Sequence, residues 1–309
     1  MTLSRWYIYQ RERFPLVGNG ALILAFSSGA VCFSAQLRAT ATDARGAVAT
    51  LSLAVAFVSS LLFFFQLRVA DEHKDLADDT RWRPYRPVPR GLVTLRELRN
   101  LAFRAMAVQA LLAVWLSPWL VALLVLVWGY MWFMAREFWL HDYLRQRPFM
   151  TLWTHMLVIP LIDLYATACD WMRVSDAAPA FRIGLAWFLV ASFFNGMVVE
   201  IGRKLRAPDD EEVGVETYTR VWGRSRAIVA WLVVMAVTAM FATLAGAHVH
   251  NARMVAIVLG LLFIASCLAG LTLARAPKRG RGKHLELLAG LWTVALYVTV
   301  GVVPFLAGR

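Results

Sequence analysis

Charge is scarce in this sequence, and acid is scarcer than base. Of 309 residues 17% are charged, 20 of them acidic against 32 basic, while 60% are hydrophobic. A soluble globular domain carries about a quarter charged residues, so a fold bathed in water on every side is excluded. Cysteine is rarer still. Cys32, Cys169 and Cys267 each sit inside an apolar run. They support neither a disulfide framework nor a thiolate metal centre, and read as small buried hydrophobes. Glycine shows no triplet period, which excludes a collagen-like chain.

What is abundant is long apolar runs. A hydrocarbon core about 30 Å thick is crossed by about 20 apolar residues in a helix, the form that satisfies its own backbone there. Nine stretches qualify, at about 16–37, 47–69, 95–116, 118–139, 149–170, 180–201, 227–246, 253–274 and 286–307. Thr94-Leu95-Arg96-Glu97 is a capping box that opens the third. Ser117-Pro118 is expected to cap the fourth and supply its first-turn proline. The first run is long enough to span and lacks a small-residue cleavage pattern, so no cleavable signal peptide is expected.

Basic residues near helix ends are retained on the cytoplasmic side. With the N-terminus inside, 25 of the 32 basic residues fall on cytoplasmic segments. Arg38, Arg45, Arg173, Arg182, Arg253 and Arg309 fall on the other face, and Arg104 lies within the third span. The expected topology is N-in, C-out, and it accounts for the net charge of +12 without nucleic acid, for which no motif is present.

The polar chemistry is concentrated in two cytoplasmic connections, at about 70–94 and 200–226. The first begins Asp71-Glu72-His73-Lys74-Asp75 and reaches Asp79 before an arginine-proline segment. If the second helix continues past the hydrocarbon, Glu72, Asp75 and Asp79 share one face. Two unit charges 4 Å apart at an effective dielectric of 20 repel by about 4 kcal/mol, so that face calls for a cation, a shared proton or strong solvation. Oxygen ligands without a Cys or His cluster favour Mg²⁺, which takes one or two carboxylates together with phosphate oxygens. Pro84, Pro87 and Pro89 stiffen the loop while Arg83, Arg86 and Arg90 offer forks suited to phosphate. The alternative is a hydrated surface helix whose acids are offset by the arginines that follow.

These residues carry a family resemblance. Asp71-Glu72-x-x-Asp75-x-x-x-Asp79, followed by Arg83-Pro84-Tyr85-Arg86-Pro87-Val88-Pro89-Arg90-Gly91, resembles the first aspartate-rich motif and trailing loop of UbiA-type intramembrane prenyltransferases. The usual opening Asn-Asp is here Asp71-Glu72. Gly214-Val215-Glu216-Thr217 and Trp222-Gly223 resemble the residues that trail the family's second motif. That motif itself departs, because Asp210 fits its last aspartate while Arg206 stands in the place of the partner. Nearby, Glu200, Arg203 and Lys204 share a helical face. Either Glu200 binds a second metal with Asp210, or Arg203 and Lys204 hold diphosphate directly, or the acids and bases merely pair.

The resemblance implies a single all-α domain over 1–309, nine transmembrane helices around a central apolar cavity. It implies ionisation of an allylic isoprenoid diphosphate assisted by two Mg²⁺ ions. Asp71, Glu72, Asp75, Asp79, Glu200 and Asp210 would supply metal ligands, with Asp75, Asp79 and Glu200 central to catalysis. Lys74, Arg83, Arg86, Arg90, Arg136, Arg203 and Lys204 would hold diphosphate. The prenyl group would pass to a lipophilic, aromatic acceptor; without one, the same cation makes a terpene cyclase. A non-catalytic isoprenoid-binding homologue and a divalent-cation transporter are the other readings, the last opposed by the lack of inverted repeats. The expected location is a bacterial inner membrane, with the site facing the cytoplasm and membrane lipid around it.

Ionisable groups at bilayer depth are costly and face a cavity or a partner. Asp163, with His155 two turns earlier and Tyr165 nearby, is suited to recognise an acceptor, steer a proton or join helices. Asn19 is similar, whereas His248 and His250 lie far from the acid motifs.

Overall fold

The computed structural model describes residues 2–42, 50–172 and 183–307. Arg45, Arg173, Arg182 and Arg309 from the charge count lie outside the described residues. Within them every regular element is helical. The order is α1 (Thr2–Arg13), α2 (Leu16–Thr42), α3 (Thr50–Lys74), α4 (Leu76–Trp82), α5 (Leu95–Leu116), α6 (Leu120–Ala135), α7 (His141–Arg145), α8 (Pro148–Met156) and α9 (Val158–Trp171). It continues with α10 (Ile183–Arg203), α11 (Tyr218–Val221), α12 (Arg224–Ala247), α13 (Ala252–Arg275), α14 (Arg281–Tyr297) and α15 (Val303–Leu306).

Seven helices among the described residues are long and apolar enough to cross a membrane. They are α2, α3, α8 with α9, α10, α12, α13, and α14 running through a π-helical turn into α15. Their outer faces are greasy: Leu261 is 64% exposed, Leu268 60% and Val229 58%. In water such a belt would drive association, whereas in lipid it is the solvated surface. The two remaining expected spans are helical but differ in character. α5 carries Arg96, Glu97, Arg99 and Arg104. α6 has 16 residues, about 24 Å of helix, shorter than the hydrocarbon core.

The Thr94 capping box forms as expected, its side chain accepting from the Glu97 amide while Glu97 accepts from the Thr94 amide. Ser117 does not cap α6. It closes α5 in an extended conformation, and a short turn through Pro118 delays the next helix to Leu120.

Inside the bundle α10 packs on α12, α12 on α13, α2 on α9 and α3 on α5. Aromatic rings pack in the interior. Phe33 stacks on Phe188 at 4.7 Å, and Tyr297 lies 4.9 Å from Phe26. Phe63 meets Tyr165 edge-on at 5.4 Å. A side chain at Gly29 would collide with Tyr297, so glycine there lets α2 and the end of α14 approach closely.

α1, both acid-bearing connections and the turn before α14 gather at one end. Arg13 pairs with Glu72, Tyr85 donates to Glu212, and the Gly280 amide donates to Asp210. Far along the bundle a separate ion pair, Arg38 with Asp170, is buttressed by Ser34.

Candidate functional site

The first connection is not one continuous helix. α3 ends at Lys74, the chain bends at Asp75, and α4 resumes at Leu76. The bend divides the acids. Glu72 turns toward α1 and accepts from Arg13 Nε at 2.5 Å. Asp79 accepts from Arg83 at 2.7 Å and from Arg86 at 2.7 and 2.9 Å, with Arg13 4.0 Å away. Both carboxylates are buried.

Glu72 and Asp79, expected as metal ligands, are engaged by arginine in this structure. Arg86 grips both oxygens of Asp79 while Arg13 meets one oxygen of Glu72, and removing these partners would strand buried charge. The same contacts engage Arg83 and Arg86, which were expected to hold diphosphate. Arg90 is likewise committed, to the Tyr85 carbonyl at 2.9 Å and Glu12 at 3.1 Å. The unforeseen partner is Arg13, whose distance along the chain gives no spacing signal.

Asp71, Lys74 and Asp75 remain at the opening. Asp71 keeps 47% of its side chain exposed, lies 3.5 Å from Arg68, and is within electrostatic range of Arg203 and Glu200. The two connections touch directly, Tyr85 donating to Glu212 at 3.3 Å and Trp82 packing against Gly214. Burial pushes the Asp75 carboxyl above its ordinary range, reinforced by Asp71 and Asp79 and opposed by Lys74 and Arg83. Arg68, not singled out in the sequence, lies beside Asp71 because it stands one turn before it.

Lys74 pairs with Glu137, which also binds His141. Glu137, Phe138 and Trp139 all have left-handed backbone, with φ of 47°, 53° and 56°. For side-chain-bearing residues this costs of order 1–2 kcal/mol each, and it turns Glu137 inward. Although burial acts the other way, Lys74 and His141 hold the Glu137 carboxyl below its usual range. Arg136 does not take the expected place. It is exposed, with its guanidinium 5.8 Å from the centre of the Trp132 ring.

In the second connection Glu200 accepts from Arg203 at 2.6 Å and Lys204 at 2.9 Å. Lys204 also lies 5.5 Å from the centre of the Tyr218 ring. Asp210 accepts from the Gly280 amide at 2.7 Å, and Arg279 is 4.0 Å away. Thr217 and Thr219 both donate to Glu211. Glu200 and Asp210 each thus have partners of their own.

Among the described residues no group of three or more His, Cys, Asp or Glu side chains is placed to hold a metal. The donor set that fits Mg²⁺ is smaller: Asp71 and Asp75, adjacent and free of forked arginine contacts. Mg²⁺ accepts one or two carboxylates with the rest of its shell from phosphate and water.

At bilayer depth Asp163 accepts from Tyr297 at 2.6 Å and from Ser192, joining α9, α10 and α14. That is a helix-to-helix bond. Gln66 donates to Gln109 at 2.7 Å, and Trp128 donates to the same oxygen at 3.1 Å, a polar joint the sequence reading missed.

No protein-family model matches this sequence, and no curated protein does. The fold does find relatives. A UbiA homologue from Aeropyrum pernix K1, in its apo form, superposes with a TM-score of 0.66 at 13% identity, covering 91% of this chain and 96% of that one. A UbiA homologue from Archaeoglobus fulgidus bound to DMAPP and Mg²⁺ gives 0.56 at 11% identity over 94% and 98%. A structure concerned with digeranylgeranylglyceryl phosphate synthase gives 0.53 at 12% identity over 91% and 98%. The chain has the fold of UbiA homologues over nearly its whole length.

Proposed function

We propose that this chain is an intramembrane prenyltransferase that ionises an allylic isoprenoid diphosphate and passes the prenyl group to a lipophilic aromatic acceptor. The single observation that carries the reading is the contact between the two acid-bearing connections, Tyr85 on Glu212 and Trp82 on Gly214, which sets Asp71 and Arg68 on one side and the Glu200, Arg203 and Lys204 cluster on the other at the same end of the bundle. In support, the Archaeoglobus fulgidus homologue that shares this fold is described with DMAPP and Mg²⁺. The proposed topology has nine crossings, α5 and α6 included, N-in and C-out in a bacterial inner membrane, with the site on the cytoplasmic side.

In this reading Asp71 and Asp75 hold one Mg²⁺ ion, which supplies Lewis-acid neutralisation of the leaving group. Lys74, Arg68, Arg203 and Lys204 contact diphosphate oxygens and stabilise the charge that gathers on them as the carbon–oxygen bond breaks. Glu137 and Glu200 balance those cations before substrate arrives, so the site need not bury uncompensated charge. Arg13, Arg83 and Arg86 act one step back, fixing the bend that presents Asp75.

The test is diphosphate release by purified protein in detergent, given Mg²⁺ and farnesyl or geranylgeranyl diphosphate, with and without aromatic acceptors. Acceptor-dependent release is expected. Release without acceptor, accompanied by a cyclised hydrocarbon, replaces transfer with cyclisation. No release at any chain length overturns the reading.

A further inference from the structure

Prenyl transfer to an aromatic carbon leaves a proton to be removed, and none of the groups assigned so far takes it. Asp71 and Asp75 are committed to the ion, and the remaining acids near them are paired with lysine or arginine. His155, on α8, differs. Its Nδ1 lies 2.8 Å from the Thr151 backbone carbonyl, an oxygen that can only accept, so Nδ1 carries the hydrogen. The neutral ring therefore has its lone pair on Nε2. Among the described residues Nε2 has no hydrogen-bond partner, and the ring is half-buried.

The surroundings give that lone pair a place in the reaction. Lys74 from α3, Glu137 from the left-handed turn and Glu200 from α10 all lie within electrostatic range of the imidazole. Phe138, whose ring meets that of His155 at 6.4 Å, is the chain neighbour of Glu137, and Glu137 binds Lys74, so the imidazole belongs to the same end of the bundle as the proposed diphosphate contacts. Leading to it is a row of aromatic rings: Tyr130 meets Phe138 at 5.6 Å, and Phe138 meets His155 at 6.4 Å, both edge-on. Ring faces attract cationic carbon, which suits the row to an allylic group whose leaving group sits at Lys74. The Tyr130 hydroxyl is occupied by the Thr154 carbonyl, so Nε2 is the proton acceptor in this row.

We infer that His155 is the general base of the transfer, an assignment that rests on the function proposed above. The allylic carbon–oxygen bond breaks and its electron pair departs with diphosphate. A π bond of the aromatic acceptor then forms the new carbon–carbon bond. The carbon–hydrogen bond at the attacked ring position breaks, its electrons restore the aromatic system, and the proton goes to Nε2. The imidazolium so formed lies within electrostatic range of the Glu137 and Glu200 carboxylates, and its proton is returned to water.

The experiment supplies farnesyl diphosphate, Mg²⁺ and 1-naphthol to wild type and to His155→Gln, measuring diphosphate and prenylated product separately. General bases contribute roughly 10²–10⁴-fold, so the product-to-diphosphate ratio should fall at least about tenfold, with farnesol appearing instead. Diphosphate release itself should stay within about threefold, because ionisation precedes proton loss. If wild type releases diphosphate without prenylating 1-naphthol or any other aromatic acceptor, the proposed transfer fails and this assignment falls with it. An unchanged ratio, or loss of release and product together in a folded variant, overturns the assignment.

A second measurement needs neither turnover nor a folded variant. Diethyl pyrocarbonate should modify His155 in wild type, as mapped by mass spectrometry, and farnesyl thiodiphosphate with Mg²⁺ should block it. An unmodified or unprotected His155 overturns the assignment even in an active enzyme, whereas absent diphosphate release in wild type overturns the proposed reaction.

Discussion

The indole of Trp82 occupies the space that a β-carbon on Gly214 would need. Trp82 ends α4 in the first connection and Gly214 lies in the second, so glycine permits the two to touch. Gly214 also has φ of +77°, which alone costs a larger residue about 1–2 kcal/mol. Tyr85, donating to Glu212 at 3.3 Å, adds a second link between the same segments.

Gly214→Ala should therefore lower thermal stability in detergent. It should also lower diphosphate release at temperatures where the protein remains folded, because the displaced connections no longer bring Asp71 and Arg203 together. Turnover and melting temperature both equal to wild type would show that this contact does not set the site.

Glu72→Gln distinguishes a buried structural acid from a metal ligand. The substitution leaves Arg13 beside Asp79 alone, and breaking a buried ion pair from one side costs roughly 3–5 kcal/mol. Unfolding should come at lower temperature, while residual activity keeps the wild-type Mg²⁺ dependence. A stable variant with a raised Mg²⁺ requirement would return Glu72 to the metal.

Glu200→Gln separates the two readings of the second connection. As the counter-ion of Arg203 and Lys204, Glu200 should be replaceable with no change in the Mg²⁺ concentration for half-maximal activity. Lys204→Ala should instead raise the KM for isoprenoid diphosphate. Loss of a true ligand weakens metal binding by at least about tenfold, so a shift of that size on Glu200→Gln would restore it to the coordination set.

The helical, membrane-spanning character was legible because it depends on local composition: runs of 20 apolar residues have few other uses in a chain this poor in charge. The capping box at Thr94 was legible for the same reason, being complete within four residues. The fate of the acids was not. The spacing of Glu72, Asp75 and Asp79 described a helical face, but their ionic partners were decided by Arg13, more than fifty residues from Glu72 in sequence, and by a bend at Asp75. Arg136 and Glu137 are neighbours in the chain, and which of them turns inward was decided by a left-handed backbone that no propensity predicts. Periodicity reports which face a residue occupies and is silent on what another helix brings to it.

Asp75 joins the proposed chemistry to a measurable property of the free protein. Burial, together with Asp71 and Asp79, raises its carboxyl above the ordinary range, so the folded chain binds that proton more tightly than the unfolded chain. Its contribution to stability is thus more favourable at low pH and is lost as pH rises from the ordinary carboxylate range through the raised folded value. Asp75→Asn removes this dependence and should leave the metal-free protein at neutral pH as stable as wild type or more so, while abolishing diphosphate release. Mg²⁺ should stabilise wild type at neutral pH by relieving the repulsion, and stabilise the variant much less. Thermal unfolding against pH, in EDTA and in Mg²⁺, reads these effects apart from catalysis. A variant with wild-type turnover, or one stabilised by Mg²⁺ as fully as wild type, would remove Asp75 from the ion and leave Asp71 without its partner.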